Sequence, residues 1–286
     1  MFLWAFLRRV PPVESIIGVG GLQSKSFEPL MIPLTLAPAL DLVASSWRSV
    51  LLRGLEAMAA ADPLYLPALA QDECLPTGNR IFAAFMQPLD AVRYVLVGEG
   101  PYPREQSATG VCFMDGAVDG LWSPAGLSKP VNRATSLRNF MKMLMVADGL
   151  LKSDASSGES VAAVARQALA DGSQFIQTLP ELQNNLHAQG FLLLNAALVF
   201  RPHVPPVKEA KAWRPFLEVV LEALTERPGQ APPTLVLWGK IAALLQAMPV
   251  SERFPQALAE HPYNLSFIKN KDMQQLFGPM RLLAKA

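Results

Sequence analysis

Residues 93–98 read RYVLVG, an apolar run that follows an arginine and ends at a glycine. Residues 191–195, FLLLN, and 234–239, TLVLWG, have the same form, and each closes on a polar residue or a glycine. Continuous apolar runs of this length are typical of strands that are buried on both faces of a sheet. These three segments are therefore predicted to be strands, and a fourth, weaker strand is predicted at 256–260.

Helical patterns lie between the predicted strands. Apolar residues recur at helical spacing within 137–151, 161–169 and 213–224, and an earlier stretch, 40–61, has the pattern of an amphipathic helix that lies on a core. Strands that alternate with helices indicate an α/β fold with a mainly parallel sheet. We expect a single domain of this class over residues 36–286.

The composition narrows the class of protein. Of the 286 residues, 51% are hydrophobic, which is enough for a well-buried core. Lys and Arg number 25 and Asp and Glu 24, a net charge of +1, so binding to nucleic acid would need a local basic patch rather than bulk charge. The two cysteines, Cys74 and Cys112, suit neither a disulfide framework nor a metal site. This pattern favours a reducing compartment, and we expect the cytoplasm.

The N-terminal segment, residues 1–35, is predicted to be a flexible extension or the result of an overcalled start. Its first ten residues, MFLWAFLRRV, are too short for a membrane span and have the wrong order for a secretory signal. A short peptide that binds a membrane surface or a partner is the alternative. We expect no membrane association for the rest of the chain.

The residues that follow the predicted strands are the candidates for a functional site. In open parallel sheets, ligands bind beyond the carboxyl ends of the strands, where the connecting loops meet. Those positions hold GEGPYP from Gly98, then Asn195, then Gly239 with Lys240, and finally His261. We therefore expect these residues to converge at one edge of the sheet.

Four segments resemble motifs of the uracil-DNA glycosylase superfamily. GEGPYPREQSATGVCF from Gly98, LLLNAAL from Leu192, LVLWGK from Leu235 and HPYNLS from His261 are similar to the family's GQDPYH with GLCF, LLLN, LLWG and HPSPLS, in that order. The likeness extends over residues 76–283. It implies a three-layer α/β/α domain with a short central parallel four-stranded sheet. It also implies a DNA-repair enzyme that flips uracil out of DNA and hydrolyses its N-glycosidic bond.

The resemblance and the chemistry of four side chains assign a base pocket. Phe113 would stack on the flipped base. The Asn195 amide has a donor and an acceptor, so it would match O4 and N3–H of uracil, an arrangement that cytosine inverts. By resemblance, Tyr102 blocks the space that a thymine methyl would need. His261 would donate to uracil O2 as negative charge collects on the leaving base.

A second group of residues is assigned to DNA contacts by the same resemblance. Leu265 corresponds to the leucine that enters the duplex in place of the flipped nucleotide. The other candidates would position the DNA without reading its sequence, and they are Lys129, Arg133, Ser136, Gly239, Lys240 and Ser266. For an isolated lysine or arginine, a solvated surface residue is the alternative.

The chain departs from the family pattern at the catalytic loop, to which Gly98 and Gly100 are assigned as substrate-binding residues. Gly100 stands where GQDPYH has its aspartate, the carboxylate that orients the attacking water. Glu99 resembles the glutamate of GEAPG, a motif of another branch that lacks the aspartate, and we predict that it supplies the missing carboxylate. An outward-facing Glu99 would instead be a spectator. HPSPLS has also become HPYNLS, which introduces Tyr263.

Two alternatives to a uracil glycosylase stay open. One is a weak or inactive relative that binds DNA or a partner, which Gly100 favours, and the other is a glycosylase for a different damaged base, for which Tyr263 would matter. Uracil-containing DNA is the expected partner, and the chain is expected to act as a monomer. No metal or other cofactor is expected, because His187 and His203 have no ligand partners at metal-site spacing.

Overall fold

The computed structural model, which describes residues 33–152 and 158–285, has a central sheet of four parallel strands. The strands of the molecule are β1 (Tyr94–Gly98), β2 (Trp122–Ser123), β3 (Gly126–Leu127), β4 (Phe191–Asn195), β5 (Thr234–Trp238) and β6 (Gln256–Ala259). The order in the sheet is β4-β1-β5-β6, and β2 pairs with β3 in a separate antiparallel ladder. The four predicted strands are confirmed.

Helices lie along the chain between the strands. They are α1 (Ala37–Asp41), α2 (Ser45–Ala61), α3 (Tyr65–Leu69), α4 (Lys129–Arg133), α5 (Thr135–Ala147), α6 (Gly158–Ala170), α7 (Leu179–Ala188), α8 (Pro206–Thr225), α9 (Lys240–Gln246) and α10 (Lys271–Phe277). Short 3-10 helices are found at Leu34–Leu36, Arg80–Phe85, Leu89–Ala91, Pro249–Arg253, Leu265–Lys269 and Gly278–Met280. None of the helices in the described part of the chain is both long and apolar enough to cross a membrane.

The helix predicted over 40–61 is interrupted. Helix α1 ends at Asp41 and α2 begins at Ser45. Between them Ala44 is extended, with φ −60° and ψ 137°, and its N–H donates to the carbonyl of Phe85 at 2.9 Å. A backbone hydrogen bond to a distant segment therefore breaks a helical pattern that is continuous in the sequence, because tertiary contacts override local propensity.

The side chains of β1 alternate between two hydrophobic cores, as the period of a strand requires. Val95 and Val97 pack in one core with α2 and α8, whereas Leu96 packs in the other with α5, α6 and α10. Strands β4 and β5 alternate in the same way, with Leu192, Leu194, Leu235 and Leu237 in the first core and Phe191, Leu193, Val236 and Trp238 in the second. The sheet is thus covered on both faces, and the predicted three-layer α/β/α class is confirmed.

The carboxyl ends of the four strands lie at one edge of the sheet. Strand β1 is in register with β4, so that Gly98 lies opposite Asn195, and β5 is in register with β6, so that Trp238 lies opposite Ala259. The segments that leave these ends carry the candidate residues of the sequence analysis. Residues 31–286 form one compact unit, and the predicted N-terminal extension falls almost entirely outside the described residues.

Candidate active site

A pocket of about 210 Å³ opens at this edge of the sheet. It is smaller than the roughly 300–1,000 Å³ that drug-sized ligands occupy, so it suits a ligand of one ring. Eight of the predicted site residues line it, and they are Gly98, Glu99, Gly100, Tyr102, Phe113, Ser136, Asn195 and His261. They come from segments far apart in the sequence. The convergence that strand polarity predicts is therefore observed.

Asn195 is a buried residue at the end of β4 whose amide faces the pocket. It is 4% exposed and lines the cavity. Position 98, beside Asn195, has no room for a side chain, because a Cβ there would lie 2.7 Å from Cys112 Sγ and 2.9 Å from Asn195 Oδ1. A buried amide left unpaired costs about 1–3 kcal/mol. Asn195 is therefore a group that a ligand in the pocket can satisfy.

Phe113 is held in an unusual backbone conformation. Its φ is +68°, and its ring meets those of Phe140 and Trp238 at steep angles, with centroids 5.3 and 5.5 Å away. The preceding Cys112 N–H donates to the carbonyl of Leu193 in β4 at 3.1 Å. A positive φ at a non-glycine residue costs about 1–3 kcal/mol and persists where the surrounding packing imposes it. The ring is consequently fixed in the wall of the pocket.

Tyr102 stays an uncharged phenol. Burial is the main cause that raises its pKa far above the ordinary value, and the nearby Cys112 and Asp115 act in the same direction. The side chain is half-buried and lines the pocket. It therefore contributes a neutral, rigid ring to the site rather than a titrating group.

His261 presents a neutral N–H group at the rim. The backbone N–H of Tyr263 donates to its Nδ1 at 3.1 Å, so in the neutral ring the proton sits on Nε2. Desolvation lowers the pKa of His261, and the nearby Glu99 carboxylate opposes this shift. Gly239, with φ +63°, allows the close approach of this loop, because a Cβ there would lie 2.8 Å from His261 Cβ. At neutral pH, the imidazole is thus a hydrogen-bond donor without charge.

Glu99 and Gly100 form the part of the rim where the sequence departs from the family pattern. The Glu99 side chain is exposed at the mouth, and it also borders a groove of about 670 Å³ between α8 and α9. Gly100 has an ordinary negative φ, and a Cβ there would meet nothing closer than the Ala197 carbonyl oxygen at 3.6 Å. The backbone therefore does not require a glycine at position 100, and a Cβ there would be accommodated.

The residues assigned to DNA contacts lie on several segments. Ser136, in the first turn of α5, lines the pocket, whereas Leu265 is 68% exposed on the segment that follows His261. The remaining candidates are exposed or half-buried: Lys129 and Arg133 are the first and last residues of α4, Gly239 and Lys240 stand at the start of α9, and Ser266 follows Leu265. Within the described residues, Lys129, Arg133 and Lys240 form no salt bridge with an acidic side chain. These side chains are available to an anionic ligand.

Asn139 supports the site although the sequence analysis missed it. It is fully buried in α5, and its Nδ2 donates to three successive carbonyls, those of Pro262 at 2.7 Å, Tyr263 at 3.2 Å and Asn264 at 3.4 Å. The loop that carries His261 is therefore fastened to the helix that carries Ser136. The available signal was a polar residue next to Phe140 on an apolar helix face, which does not reveal its partner.

Within the described residues, no three His, Cys, Asp or Glu side chains are grouped as metal ligands. The side chains that line the pocket include an amide, three aromatic rings, a neutral imidazole and a carboxylate at the mouth. The size of the pocket fits a single planar ring, and an N–H donor of this kind can stabilise negative charge that develops on such a ring.

Comparisons with known proteins identify the family. The chain is 31% identical over 228 residues to the uracil-DNA glycosylase of a Nocardioides species, covering 79% of this chain and 81% of that protein. It is 30% identical over 230 residues to uracil-DNA glycosylase 1 of Streptomyces avermitilis, covering 80% and 84%. No protein-family model matches the chain. The chain belongs to the uracil-DNA glycosylase family.

Solved structures agree with this assignment. The crystal structure of wild-type UNG from Nitratifractor salsuginis matches with a TM-score of 0.77 and 39% sequence identity, over 88% of this chain and 96% of that one. The mimivirus uracil-DNA glycosylase matches with a TM-score of 0.51 at 16% identity, over 81% and 72% of the two chains, which is a likeness of fold alone.

Proposed function

We propose that this chain is a DNA-repair glycosylase that extrudes uracil from DNA and hydrolyses its N-glycosidic bond. The observation that carries the proposal is the one-ring pocket, in which the buried Asn195 lies with Phe113 and the neutral donor His261. Membership of the uracil-DNA glycosylase family supports uracil as the base. We also propose that the chain acts as a monomer and that it is located in the cytoplasm.

Recognition of the base follows from three side chains. The Asn195 amide would accept from N3–H and donate to O4 of uracil, whereas cytosine would leave both buried groups mismatched. Phe113 would stack on the ring, since its own packing already fixes it. Tyr102 would exclude a base with a methyl group at C5, because its half-buried ring occupies the pocket wall. The neutral phenol supports this steric role.

Bond cleavage is assigned to His261 and Glu99. As the C1′–N1 bond breaks, its electron pair passes to the uracil ring, and the Nε2–H of His261 would stabilise the charge at O2. A water oxygen adds to C1′, and the proton that it loses would pass through Glu99 to solvent. The carboxylate of Glu99 would also stabilise positive charge on the sugar, most strongly once DNA covers the mouth and excludes water.

The DNA would lie over the rim. Ser136, Gly239, Ser266 and the charged side chains of Lys129 and Lys240 would contact phosphates and hold the strand without reading its sequence. Leu265, which is 68% exposed, would enter the stack in place of the extruded nucleotide. The two lysines would give the rim a local basic patch, although the net charge of the chain is only +1.

One observation favours a second candidate function. Gly100 offers no carboxylate where the family motif has one, although the backbone there has room for a Cβ. A protein that binds extruded bases without cleaving them would keep the pocket and lose this group. A glycosylase for another damaged base would also keep the pocket.

The proposal is tested with oligonucleotides that hold a single uracil, cytosine or thymine in the same sequence. The chain is expected to release free uracil and to leave an abasic site. Cytosine should be retained because it leaves the Asn195 amide mismatched, and thymine because Tyr102 leaves no room for its methyl group. Chromatography of the released base measures this. Binding to uracil DNA without release would favour the non-cleaving relative. Release of a different modified base alone, from an oligonucleotide that contains it, would favour a glycosylase for another damaged base.

Replacing Asn139 by leucine is expected to lower the kcat for uracil about 10- to 100-fold, because the loop that carries His261 loses its attachment to α5. The free energy of unfolding should fall by about 1–3 kcal/mol. Single-turnover rates and denaturant melts measure the two effects.

Asn185→Leu is the matched control for this change. Asn185 Nδ2 also donates to two backbone carbonyls of a distant segment, those of Leu282 at 2.9 Å and Ala284 at 2.7 Å. Unlike the loop of His261, Asn185 has no part in the lining of the pocket. A similar loss of stability with an unchanged kcat is expected. Equal losses of kcat in both variants would contradict a positioning role for Asn139.

A further inference from the structure

Tyr263 is a large ring exposed beside the pocket. Its relative exposure is 67%, whereas the other three tyrosines, Tyr65, Tyr94 and Tyr102, are half-buried. Across the described ranges, 33–152 and 158–285, no ring stacks on Tyr263 and no group bonds its hydroxyl. Exposed aromatic rings that contact nothing in the protein are candidates for contact with a ligand.

The backbone that carries this ring is firmly held. The Tyr263 N–H donates to His261 Nδ1 at 3.1 Å, and its carbonyl accepts from Asn139 Nδ2 at 3.2 Å. The N–H of Asn264 donates to the carbonyl of His261 at 2.9 Å, and Pro262 is buried. The ring is therefore free while its Cα is fixed two residues from the histidine of the pocket. Such an arrangement lowers the entropy lost when the ring meets a partner.

Leu265 is exposed on the same short segment. Its relative exposure is 68%, close to that of Tyr263, and the residue between them is also exposed. Two large apolar side chains thus project from one anchored segment at the pocket rim. The two side chains are a phenol ring and an aliphatic chain, and such groups match the neutral, planar faces of nucleobases.

We propose that Tyr263 stacks on a nucleobase next to the extruded nucleotide, so that the ring and Leu265 together replace the stacking lost on extrusion. This inference rests on the proposed function and adds a residue for which the family motif has serine. Every base has a π face, so the contact tolerates any neighbouring sequence. The stacking contact forms when the nucleotide leaves the stack. It increases the affinity for DNA and does not change the rate of bond cleavage. Tyr263 is therefore a binding residue of the DNA interface.

The test uses a fluorescently labelled duplex with one tetrahydrofuran abasic site, and the same duplex without it. Tyr263→Ser is expected to weaken binding to the abasic duplex about 5- to 100-fold, the range of base–aromatic stacking. Tyr263→Phe should bind within about twofold of the parent, because the ring is kept. Leu64→Ser is the matched control, since Leu64 is 78% exposed and does not line the pocket. It should leave binding unchanged.

Three outcomes would overturn the inference. They are unchanged binding by Tyr263→Ser, equal weakening by Tyr263→Phe, which would indicate a hydroxyl contact, and an equal loss on the duplex without the abasic site. Melting temperatures of all variants check that the fold is kept. Uracil release by the parent is measured separately, so a parent that binds the abasic duplex through Tyr263 but releases no uracil refutes the proposed reaction and leaves the stacking contact supported.

Discussion

Replacing His261 by alanine is expected to lower the kcat for uracil release about 10²- to 10³-fold, the usual cost of removing one donor to a developing anion. The donor is Nε2–H, since Nδ1 accepts from Tyr263 N–H at 3.1 Å. Its hydrogen bond strengthens as charge moves onto O2, so kcat should fall more than binding of the substrate weakens. Single-turnover rates at saturating enzyme, with a separate binding titration, measure the two quantities.

The pH profile provides a second readout for His261. Burial lowers its pKa below the usual value of about 6.5. Below the shifted pKa the ring gains a proton on Nδ1, which can then no longer accept from Tyr263, and the loop contact is lost. The rate should therefore be constant above pH 7 and fall on the acid side. This acid limb should disappear in His261→Ala.

His187→Ala is the control for the histidine change. Burial also lowers the pKa of His187, but it lies in α7 and does not line the pocket. Its replacement should leave the rate and the acid limb unchanged. An acid limb that persists in His261→Ala, or that disappears in His187→Ala, would contradict the assignment.

The fold could be predicted because its signals are local. The runs at 94–97, 191–194 and 235–238 are apolar throughout, and strands buried on both faces require this. The weaker strand predicted at 256–260 is β6 (Gln256–Ala259), one of the two edge strands of the sheet. One of its residues is exposed and three are half-buried, which explains its weaker pattern. The interruption before Ser45 was not predictable, because it depends on a hydrogen bond from Ala44 to Phe85.

The residues that line the pocket could be predicted from the sequence, whereas the contacts that hold them in place could not. Strand polarity alone brings Gly98, Asn195 and His261 to one edge. Asn139 donates to carbonyls 123 to 125 residues away, and a backbone carbonyl carries no sequence signal. The left-handed conformation of Phe113 likewise depends on packing against Phe140 and Trp238. The orientation of Glu99 depends on the path of its loop, and only the structure gives it.

Replacing Glu99 by glutamine is expected to lower the kcat for uracil release about 10²- to 10⁴-fold, the range for a lost acid–base group. Glu99 is exposed in the structure, yet it lines the pocket and is the charge that opposes the lowered pKa of His261. A duplex over the mouth would exclude water from it and strengthen its effect on a cationic sugar. Glutamine keeps the size of the side chain and removes the charge.

The double variant Glu99→Gln/Gly100→Asp tests whether a carboxylate at position 100 can replace the one lost from position 99. A Cβ at position 100 has room, with the Ala197 carbonyl oxygen 3.6 Å away, so an aspartate there should restore most of the lost rate. Glu56→Gln, an exposed glutamate on α2 outside the pocket, should leave the rate unchanged. If Glu99→Gln reacted as fast as the parent, Glu99 would be a spectator. If the parent released no uracil and Gly100→Asp made it active, the chain would be an inactive relative, because its pocket would lack only the carboxylate.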